Sequence, residues 1–319
     1  MSKATRFLSA IILVATIGGR AASAEAALTQ DRRPSTSRPS TSKSSTSTPI
    51  PHAVSFREVT GRGLLVRTWV NGVGPFNFAI DTGAGATLIS SRVASESRVN
   101  RANDRPASIA GLSGTKTIAY HASLESLAIG DIENYLPAKG EAMITSGLPP
   151  DLDGVLDPTE ALSPLGFTID IPRREFIAFD PRSERVQMNQ PPVEGAVVAW
   201  LREAHGRRPF VMLDNGDRAL IDTGSSLGLA VRDPNSISRS GASSARDIGG
   251  GQISSRRVST STIAIGSLTL RRIPTDLVSG TEADAPVLLG LTALRPFRLR
   301  FDPLHRLIEI APILGSRGN

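Results

Sequence analysis

Short apolar runs separated by Gly, Pro, Asn and Asp dominate the chain from Val54 onward. Their lengths and β-branched content are typical of strands, and the first four are residues 64–70, 76–80, 117–122 and 124–129. Asn71-Gly72 lies between the first two runs, and this dipeptide predicts a tight hairpin turn. Helical periodicity is scarce, and only residues 91–99 predict a short helix. The pattern therefore predicts an all-β fold.

The pattern of the first half repeats once in the second half. Asp81-Thr82-Gly83 ends one apolar run, and Asp222-Thr223-Gly224 ends another, 141 residues later (222 − 81). Three further pairs of segments follow in the same order in both halves: 127–132 and 263–268, 155–157 and 288–290, and 167–172 and 297–303. This long period indicates an internal duplication, since solenoid repeats are much shorter. We expect two lobes, residues 51–185 and 186–319, joined near residues 181–194.

The first 50 residues predict export and a spacer. Lys3 and Arg6 precede the apolar residues 7–18, and Ala22-Ser23-Ala24 has the small residues of a signal cleavage site. The apolar stretch is shorter than the ~20 residues that a membrane-spanning helix needs. We therefore expect residues 1–24 to be a signal peptide and the protein to be periplasmic or secreted from a bacterium. It would be membrane-tethered only if this segment is not cleaved. Residues 25–50, rich in Ser, Thr and Pro, predict a disordered linker.

Composition excludes several kinds of site. The chain has no cysteine, so it cannot form disulfides, thiol nucleophiles or cysteine-ligated metal centres. Its four histidines are not at ligand spacing, and we expect no metal ion and no cofactor. The first 50 residues carry +5 of the net charge of +6, which leaves +1 (6 − 5) for the rest. We therefore expect no nucleic-acid partner.

The duplicated Asp-Thr-Gly phrases carry the strongest chemical signal. Two equivalent strand-end carboxyl groups are expected to meet, and like charges about 3 Å apart share one proton. One aspartate can then take a proton from water while the other donates a hydrogen bond to a carbonyl oxygen. Gly83 and Gly224 permit the tight turns, and the hydroxyls of Thr82 and Thr223 are expected to hold them rigid.

These features resemble the aspartic proteases of the pepsin and retropepsin type, over residues 54–312. The resemblance implies a bilobal acid-protease fold with pseudo-twofold symmetry, with Asp81 and Asp222 as the catalytic pair. It also implies a peptide or protein substrate and no stable membrane insertion after signal cleavage. Because both aspartates are on one chain, a monomer suffices. The chain is similar to two fused retropepsin-like units, as in exported bacterial relatives.

The same resemblance assigns supporting and substrate-covering residues. Ala84 is similar to the retroviral pattern, whereas Ser225 is pepsin-like and is expected to hydrogen-bond the Asp222 carboxylate. Pepsin-type enzymes carry a flap tyrosine, but Tyr120 lies beyond the expected flap tip. The flap candidates are Gly111, Ser113, Gly114, Gly249 and Gly250.

Two features keep alternatives open. Asp157 stands where the family has Gly, while the second half retains Gly290. This exchange alters the packing beneath Asp81 or adds a carboxylate near the pair, and it favours a catalytically inactive peptide-binding protein. Residues 224–228 also satisfy G-x-S-x-G, so a serine hydrolase using Ser226 and His305 is a third reading. That motif requires a strand–turn–helix context.

Overall fold

A computed structural model of the chain describes residues 49–102, 106–138, 140–203, 206–233 and 243–313. The expected signal peptide, residues 1–24, and the linker up to residue 48 lie outside the described residues. Within the described ranges, no helix is long and apolar enough to cross a membrane.

Strands make up about half of the described chain and each helix in it has six residues or fewer, which confirms the all-β prediction. The first half contains, in chain order, β1 (Val54–Ser55), β2 (Arg57–Val59), β3 (Gly63–Val70), β4 (Val73–Ile80), β5 (Leu88–Ser90), α1 (Ser91–Glu96), β6 (Ala107–Ala110), β7 (Lys116–Ser123), β8 (Leu127–Ile129), β9 (Glu141–Thr145), β10 (Gly154–Leu156), α2 (Pro158–Ala161), β11 (Gly166–Asp170) and β12 (Glu175–Phe179). The second half contains β13 (Ala196–Ala199), β14 (Leu201–Glu203), β15 (Gly206–Met212), β16 (Arg218–Asp222), β17 (Leu229–Arg232), β18 (Ser243–Arg246), β19 (Gln252–Arg257), β20 (Ser261–Ile265), β21 (Leu268–Ile273), β22 (Thr275–Ser279), β23 (Val287–Gly290), α3 (Leu291–Leu294), β24 (Phe297–Asp302) and β25 (Leu307–Pro312).

The predicted first hairpin is present as β3 and β4. Asn71 and Gly72 both have positive φ, 50° and 75°, as a primed two-residue turn requires. The strand expected over residues 124–129 begins only at Leu127, because residues 124–126 are irregular and the N–H of Leu124 donates to the carbonyl of Gly140. The helix expected over residues 91–99 ends at Glu96, and the left-handed Arg98 (φ 52°) follows it.

Each half contributes one large sheet with the same central arrangement. The first sheet has the order β2-β3-β4-β10-β5-β9-β7-β6, with β8 beside β3, and the second has the order β14-β15-β16-β23-β17-β22-β19-β18. In each, the strand that leads to an Asp-Thr-Gly phrase pairs in parallel with a later strand, β4 with β10 and β16 with β23. The two segments that matched in sequence, 155–157 and 288–290, therefore occupy equivalent places.

A third sheet, of order β1-β12-β11-β24-β25-β13, joins the two halves. Its central pair is antiparallel β11 and β24, with Phe167 opposite Phe301. The two rings stack with centroids 4.7 Å apart, and both side chains are fully buried. Burying a side chain of this size stabilises a fold by roughly 1.5–3 kcal/mol. This sheet therefore fixes how the lobes meet.

Three groups of buried apolar residues form the core. The largest spans both halves and surrounds the third sheet. A smaller one, here the first-half cluster, comprises Leu65, Ala79, Ala84, Ala86, Leu88, Ile109, Ala119, Met143, Leu152, Val155 and Ile248. Its counterpart, the second-half cluster, comprises Leu112, Phe210, Leu220, Leu227, Ala230, Ile253, Val278 and Leu288. Each small cluster lies beside one Asp-Thr-Gly phrase and contains one residue from the other half.

Candidate active site

Asp81 and Asp222 occupy equivalent strand ends. Asp81 directly follows β4, and its N–H donates to the carbonyl of Leu156 at the end of β10 (3.0 Å). Asp222 is the last residue of β16 and pairs with Gly290 at the end of β23. The side chains are buried, with 1% and 0% of each residue exposed. The parallel pairing therefore delivers both carboxyl groups to the interior of the molecule.

The two carboxyl groups face each other across the turns that follow them. A methyl group on Gly83 would lie 2.8 Å from Cγ of Asp222, and one on Gly224 would overlap the carboxyl group of Asp81. Each glycine is thus required because the opposite aspartate packs against it. The structure brings together the two residues that the sequence repeat singled out. The reason for the glycines differs from the expected one, because Gly83 and Gly224 do not have positive φ and are instead required by the close approach of the opposite aspartate.

Thr82 and Thr223 tie the two turns together through reciprocal hydrogen bonds. Thr82 Oγ1 donates to the carbonyl of Ile221 (2.6 Å), and Thr223 Oγ1 donates to the carbonyl of Ile80 (2.9 Å). The N–H of each threonine also donates to Oγ1 of the other, at 3.2 Å and 3.1 Å. All four bonds are buried and cross between the halves. They hold the carboxyl groups in register, as the sequence predicted for these hydroxyls.

The two aspartates are hydrogen-bonded unequally. Oδ1 of Asp222 accepts from the N–H of Gly224 (2.9 Å) and of Ser225 (3.1 Å). Among the described residues, Oδ1 of Asp81 accepts from Gly83 N–H alone (2.7 Å). The expectation for Ser225 needs correction, because its backbone N–H and not its hydroxyl bonds the carboxylate. The Ser225 hydroxyl instead accepts from the N–H of Leu227.

Burial and proximity change the acidity of the pair. Burial raises the pKa of Asp81 well above its ordinary value, and the charge of Asp222 raises it further. Burial also raises the pKa of Asp222, to about 6, although hydrogen bonds from Asp81, Gly224 and Ser225 oppose the rise. The two carboxyl groups therefore release their protons in separate steps.

The flap candidates lie in two hairpin tips, one from each half. Gly111, Ser113 and Gly114 are in the turn between β6 and β7, and Gly249 and Gly250 are in the turn between β18 and β19. The tips touch. The backbones of the two tips are in close contact. A methyl group on Gly249 would overlap the carbonyl of Thr115, and one on Gly251 would overlap the side chains of Ser113 and Thr115. Their role as flaps stays a prediction.

Asp247 joins the two tips and was not singled out from the sequence. Its Oδ2 accepts from the N–H of Ser113 in the other half (2.7 Å), and its Oδ1 accepts from the N–H of Gly251 (3.0 Å). Only 3% of the residue is exposed. An aspartate directly before an apolar residue and three glycines indicates a turn that the aspartate side chain stabilises. Nothing in the neighbouring sequence indicates that the same side chain also bonds Ser113 in the other half.

Tyr120 does not lie at a hairpin tip. It is within β7, and the guanidinium of Arg101 lies 4.0 Å from its ring centroid. This position agrees with the sequence expectation that Tyr120 lies beyond the tip.

Asp157, the departure from the family pattern, caps the helix that follows β10. Its Oδ1 accepts from the N–H of Thr159 (2.9 Å), and Pro158 occupies the first turn of α2. The sequence Asp-Pro-Thr-Glu carries the recognisable signal of a helix start, which the strand-centred interpretation missed. The residue is buried (3% exposed), and burial, followed by the charge of Glu160, raises the pKa of Asp157 to about 7. Asp157 is thus a third buried carboxylic acid near Asp81 and Asp222, and unlike them it caps a helix.

The serine-hydrolase reading lacks its structural context. The turn that contains Ser226 leads into strand β17 and not into a helix. His305 is engaged elsewhere, with its Nδ1 2.8 Å from Oδ2 of Asp302. Within the described ranges, no group of three or more His, Asp or Glu side chains is placed to hold a metal ion.

Comparison with known families gives a match within the first half of the chain. A family model described as gag-polyprotein putative aspartyl protease matches residues 66–144. The matched segment includes β4, the first Asp-Thr-Gly phrase and the first hairpin tip, and it ends before Asp157. No curated protein matches the chain.

Proposed function

We propose that this chain is an aspartic endopeptidase that uses Asp81 and Asp222, and the family match over residues 66–144 and the all-β fold support this proposal. The observation that carries the proposal is the buried, face-to-face pair of carboxyl groups, locked by the reciprocal bonds of Thr82 and Thr223. Buried carboxyl groups are costly to maintain without a role, since they must be paired or neutralised. Here the chain maintains two of them at equivalent positions.

The pair can perform amide hydrolysis with one shared proton. The ionised carboxylate accepts a proton from a water molecule as the water oxygen attacks the carbonyl carbon of the peptide. The protonated carboxyl group donates its proton to the carbonyl oxygen, which gives a neutral tetrahedral diol. Collapse of the diol breaks the C–N bond, transfers a proton to the leaving nitrogen and restores the singly protonated pair. Apart from the hydrogen bond that the two aspartates share, Oδ2 of each has no partner among the described residues and is available for these transfers.

Substrate entry requires the hairpin tips to separate. Both aspartates are enclosed, and Asp247 connects the two hairpin tips. Separation of the tips would admit an extended polypeptide, whose main chain can then pair with the exposed strand edges of the hairpins. We propose that the protein acts as a monomer after export to the periplasm or the cell exterior.

A peptide-binding protein without activity is the second candidate. Asp157 favours it, because this position is glycine in the other half and a buried acid alters the surroundings of Asp81. Binding without turnover would need the same cleft and the same movement of the hairpin tips.

Peptide cleavage by purified full-length chain and by single variants separates these functions. Digestion of a peptide library is followed by mass spectrometry from pH 4 to 8. Asp81→Asn and Asp222→Asn should each lower the rate at least ~100-fold, the usual contribution of a general acid or base. Ser226→Ala is the matched control and should cleave normally. Unchanged cleavage by Asp222→Asn would eliminate the proposed mechanism, and peptide binding without wild-type cleavage would favour the binding protein.

A further inference from the structure

Asp157 and Asp81 directly follow the ends of two neighbouring strands, β10 and β4. Ile80 pairs with Leu156 in the parallel ladder of β4 and β10, so the next residues, Asp81 and Asp157, stand side by side. The second half shows the same relationship between Asp222 and Gly290, which are directly paired. Paired residues on adjacent strands are about 4.8 Å apart and project to the same face of the sheet. The first half thus places an additional buried carboxyl group next to its half of the pair.

The second half cannot hold a side chain at the equivalent position. A methyl group on Gly290 would lie 2.5 Å from the carbonyl oxygen of Leu227 and 2.9 Å from that of Ser225. In the first half, Thr87 provides a partner for the backbone at this position, because its Oγ1 accepts from the N–H of Asp157 (3.3 Å). The third carboxyl group is therefore a feature of one half only, and it makes the surroundings of Asp81 and Asp222 unequal.

Charged groups on the surrounding elements reinforce this inequality. On the Asp81 side, Glu160 of α2 accepts from the N–H of Thr87 (2.8 Å), and Glu141 and Arg207 join Asp157 and Glu160 around a cavity of about 390 Å³. The cavity therefore has three acids and one base. On the Asp222 side, the charge of Arg208 stabilises the ionised carboxylate.

Hydrogen bonding also favours the ionised form of Asp222 over that of Asp81. Asp222 has two backbone donors on one carboxylate oxygen, whereas Asp81 has one among the described residues. Donors to a carboxylate favour its ionised form, and a neighbouring acid disfavours it. Both effects leave Asp222 as the better-stabilised anion.

We propose that Asp157 is a positioning residue that keeps the shared proton on Asp81 and so leaves Asp222 as the member that activates the water. The assignment deepens the proposed peptidase function and rests on it. Asp157 itself touches neither substrate nor water in this scheme, and it acts through Asp81.

The proposal gives a specific dependence on pH. At acidic pH Asp157 is neutral, because burial raises its pKa to about 7, and it has little influence on the first proton that the pair loses. Near neutral pH Asp157 becomes charged and opposes loss of the remaining proton from Asp81. Removing this charge should therefore move only the alkaline limb of the pH–rate profile, toward lower pH.

The kinetic test compares wild type with Asp157→Asn and Asp157→Ser, both of which can still cap α2. The alkaline limb of kcat/KM should shift down by at least about 0.5 pH unit while the acid limb stays in place. Asp153→Asn is the matched control. It removes a buried acid of the same segment that bonds Arg92 and the N–H of Asn77, and it should leave both limbs unmoved. Unmoved limbs in folded Asp157 variants would overturn the proposal, because a purely structural role changes only the height of the profile.

A second measurement does not depend on activity. Carboxyl ¹³C resonances of the aspartates in the full chain are titrated by NMR and assigned with Asp81→Asn and Asp222→Asn. Asp81 should keep its proton to higher pH than Asp222, and Asp157→Asn should lower the titration midpoint of Asp81. The opposite order, or an unmoved Asp81 midpoint, refutes the assignment. A chain that titrates as expected but cleaves nothing would contradict the peptidase function while supporting the role of Asp157.

Discussion

Leu112 and Ile248 each bury their side chain in the apolar cluster of the opposite half. Leu112, at the tip between β6 and β7, packs in the second-half cluster, and Ile248, at the tip between β18 and β19, packs in the first-half cluster. They are 5% and 1% exposed. Contact between the two hairpin tips therefore depends on apolar packing against the opposite half, in addition to the hydrogen bond between Asp247 and Ser113.

Truncating either of these two side chains should weaken the packing of its hairpin tip against the opposite half. Leu112→Ala and Ile248→Ala should each destabilise the protein by roughly 2–4 kcal/mol, the range for large-to-small changes at buried sites. Urea unfolding measures the loss. Ile118→Ala is the control on the same hairpin, since Ile118 is 59% exposed and its truncation should cost well under 1 kcal/mol. Equal losses for Leu112→Ala and Ile118→Ala would contradict burial at the tip.

Removing the Asp247 carboxylate should open the hairpin tips locally. Asp247→Ala leaves the N–H groups of Ser113 and Gly251 without their acceptor, and hydrogen bonds to charged groups contribute about 1.5–3 kcal/mol. The amide of Ser113 should then exchange with solvent at least ~10-fold faster. Hydrogen exchange with mass spectrometry reads this directly. Asp247→Asn keeps an acceptor oxygen and should have a smaller effect; identical exchange in all three proteins would exclude Asp247 as a link between the tips.

The reciprocal threonine bonds should be energetically coupled. Thr82→Val and Thr223→Val each remove a hydroxyl that both donates and accepts, so each leaves a buried carbonyl and a buried N–H without a partner. Each change should cost about 2–4 kcal/mol, and the double variant should cost at least ~0.5 kcal/mol less than the sum. Thr292→Val is the control, because Thr292 donates to Ser226 within one half. Simple additivity of Thr82→Val and Thr223→Val would show that the two bonds act independently.

The buried acids predict a loss of stability toward alkaline pH. The folded-state pKa values of Asp81, Asp157 and Asp222 lie above their ordinary values, so their contribution is complete at pH below about 4. It declines as the pH rises through the folded-state values, which are about 6 for Asp222 and about 7 for Asp157. Urea unfolding at pH 5 and pH 8 should differ by roughly a few kcal/mol. In Asp157→Asn the difference should be smaller; a wild-type protein more stable at pH 8 would contradict the burial of these acids.

Local sequence signals were sufficient for the first hairpin and for the pair of aspartates. Short apolar runs and the Asn71-Gly72 turn predicted β3 and β4, and the repeated phrase pointed to Asp81 and Asp222 because equivalent strands end at equivalent places. The family match over residues 66–144 agrees with that reading.

Contacts between the halves were not accessible from the sequence. The bond from Ser113 to Asp247 joins residues 134 positions apart, and neither neighbourhood encodes the other. The hydroxyl of Ser225 was expected to bond Asp222, but the turn brings the backbone N–H to the carboxylate and directs the hydroxyl to Leu227. Such details depend on the exact path of the turn after tertiary packing, which residue identity alone does not determine.

The sheet that joins the lobes has a consequence for how the protein could be divided. Its first three strands, β1, β12 and β11, precede residue 181, and the other three follow residue 195, so one seam between β11 and β24 separates them. A break in the connecting residues 181–194 would cut no strand of this sheet. Two separately produced fragments should therefore recognise each other along that seam and rebuild a nicked, two-chain protein. Either fragment alone would expose an unpaired strand, β11 with Phe167 or β24 with Phe301, and should self-associate.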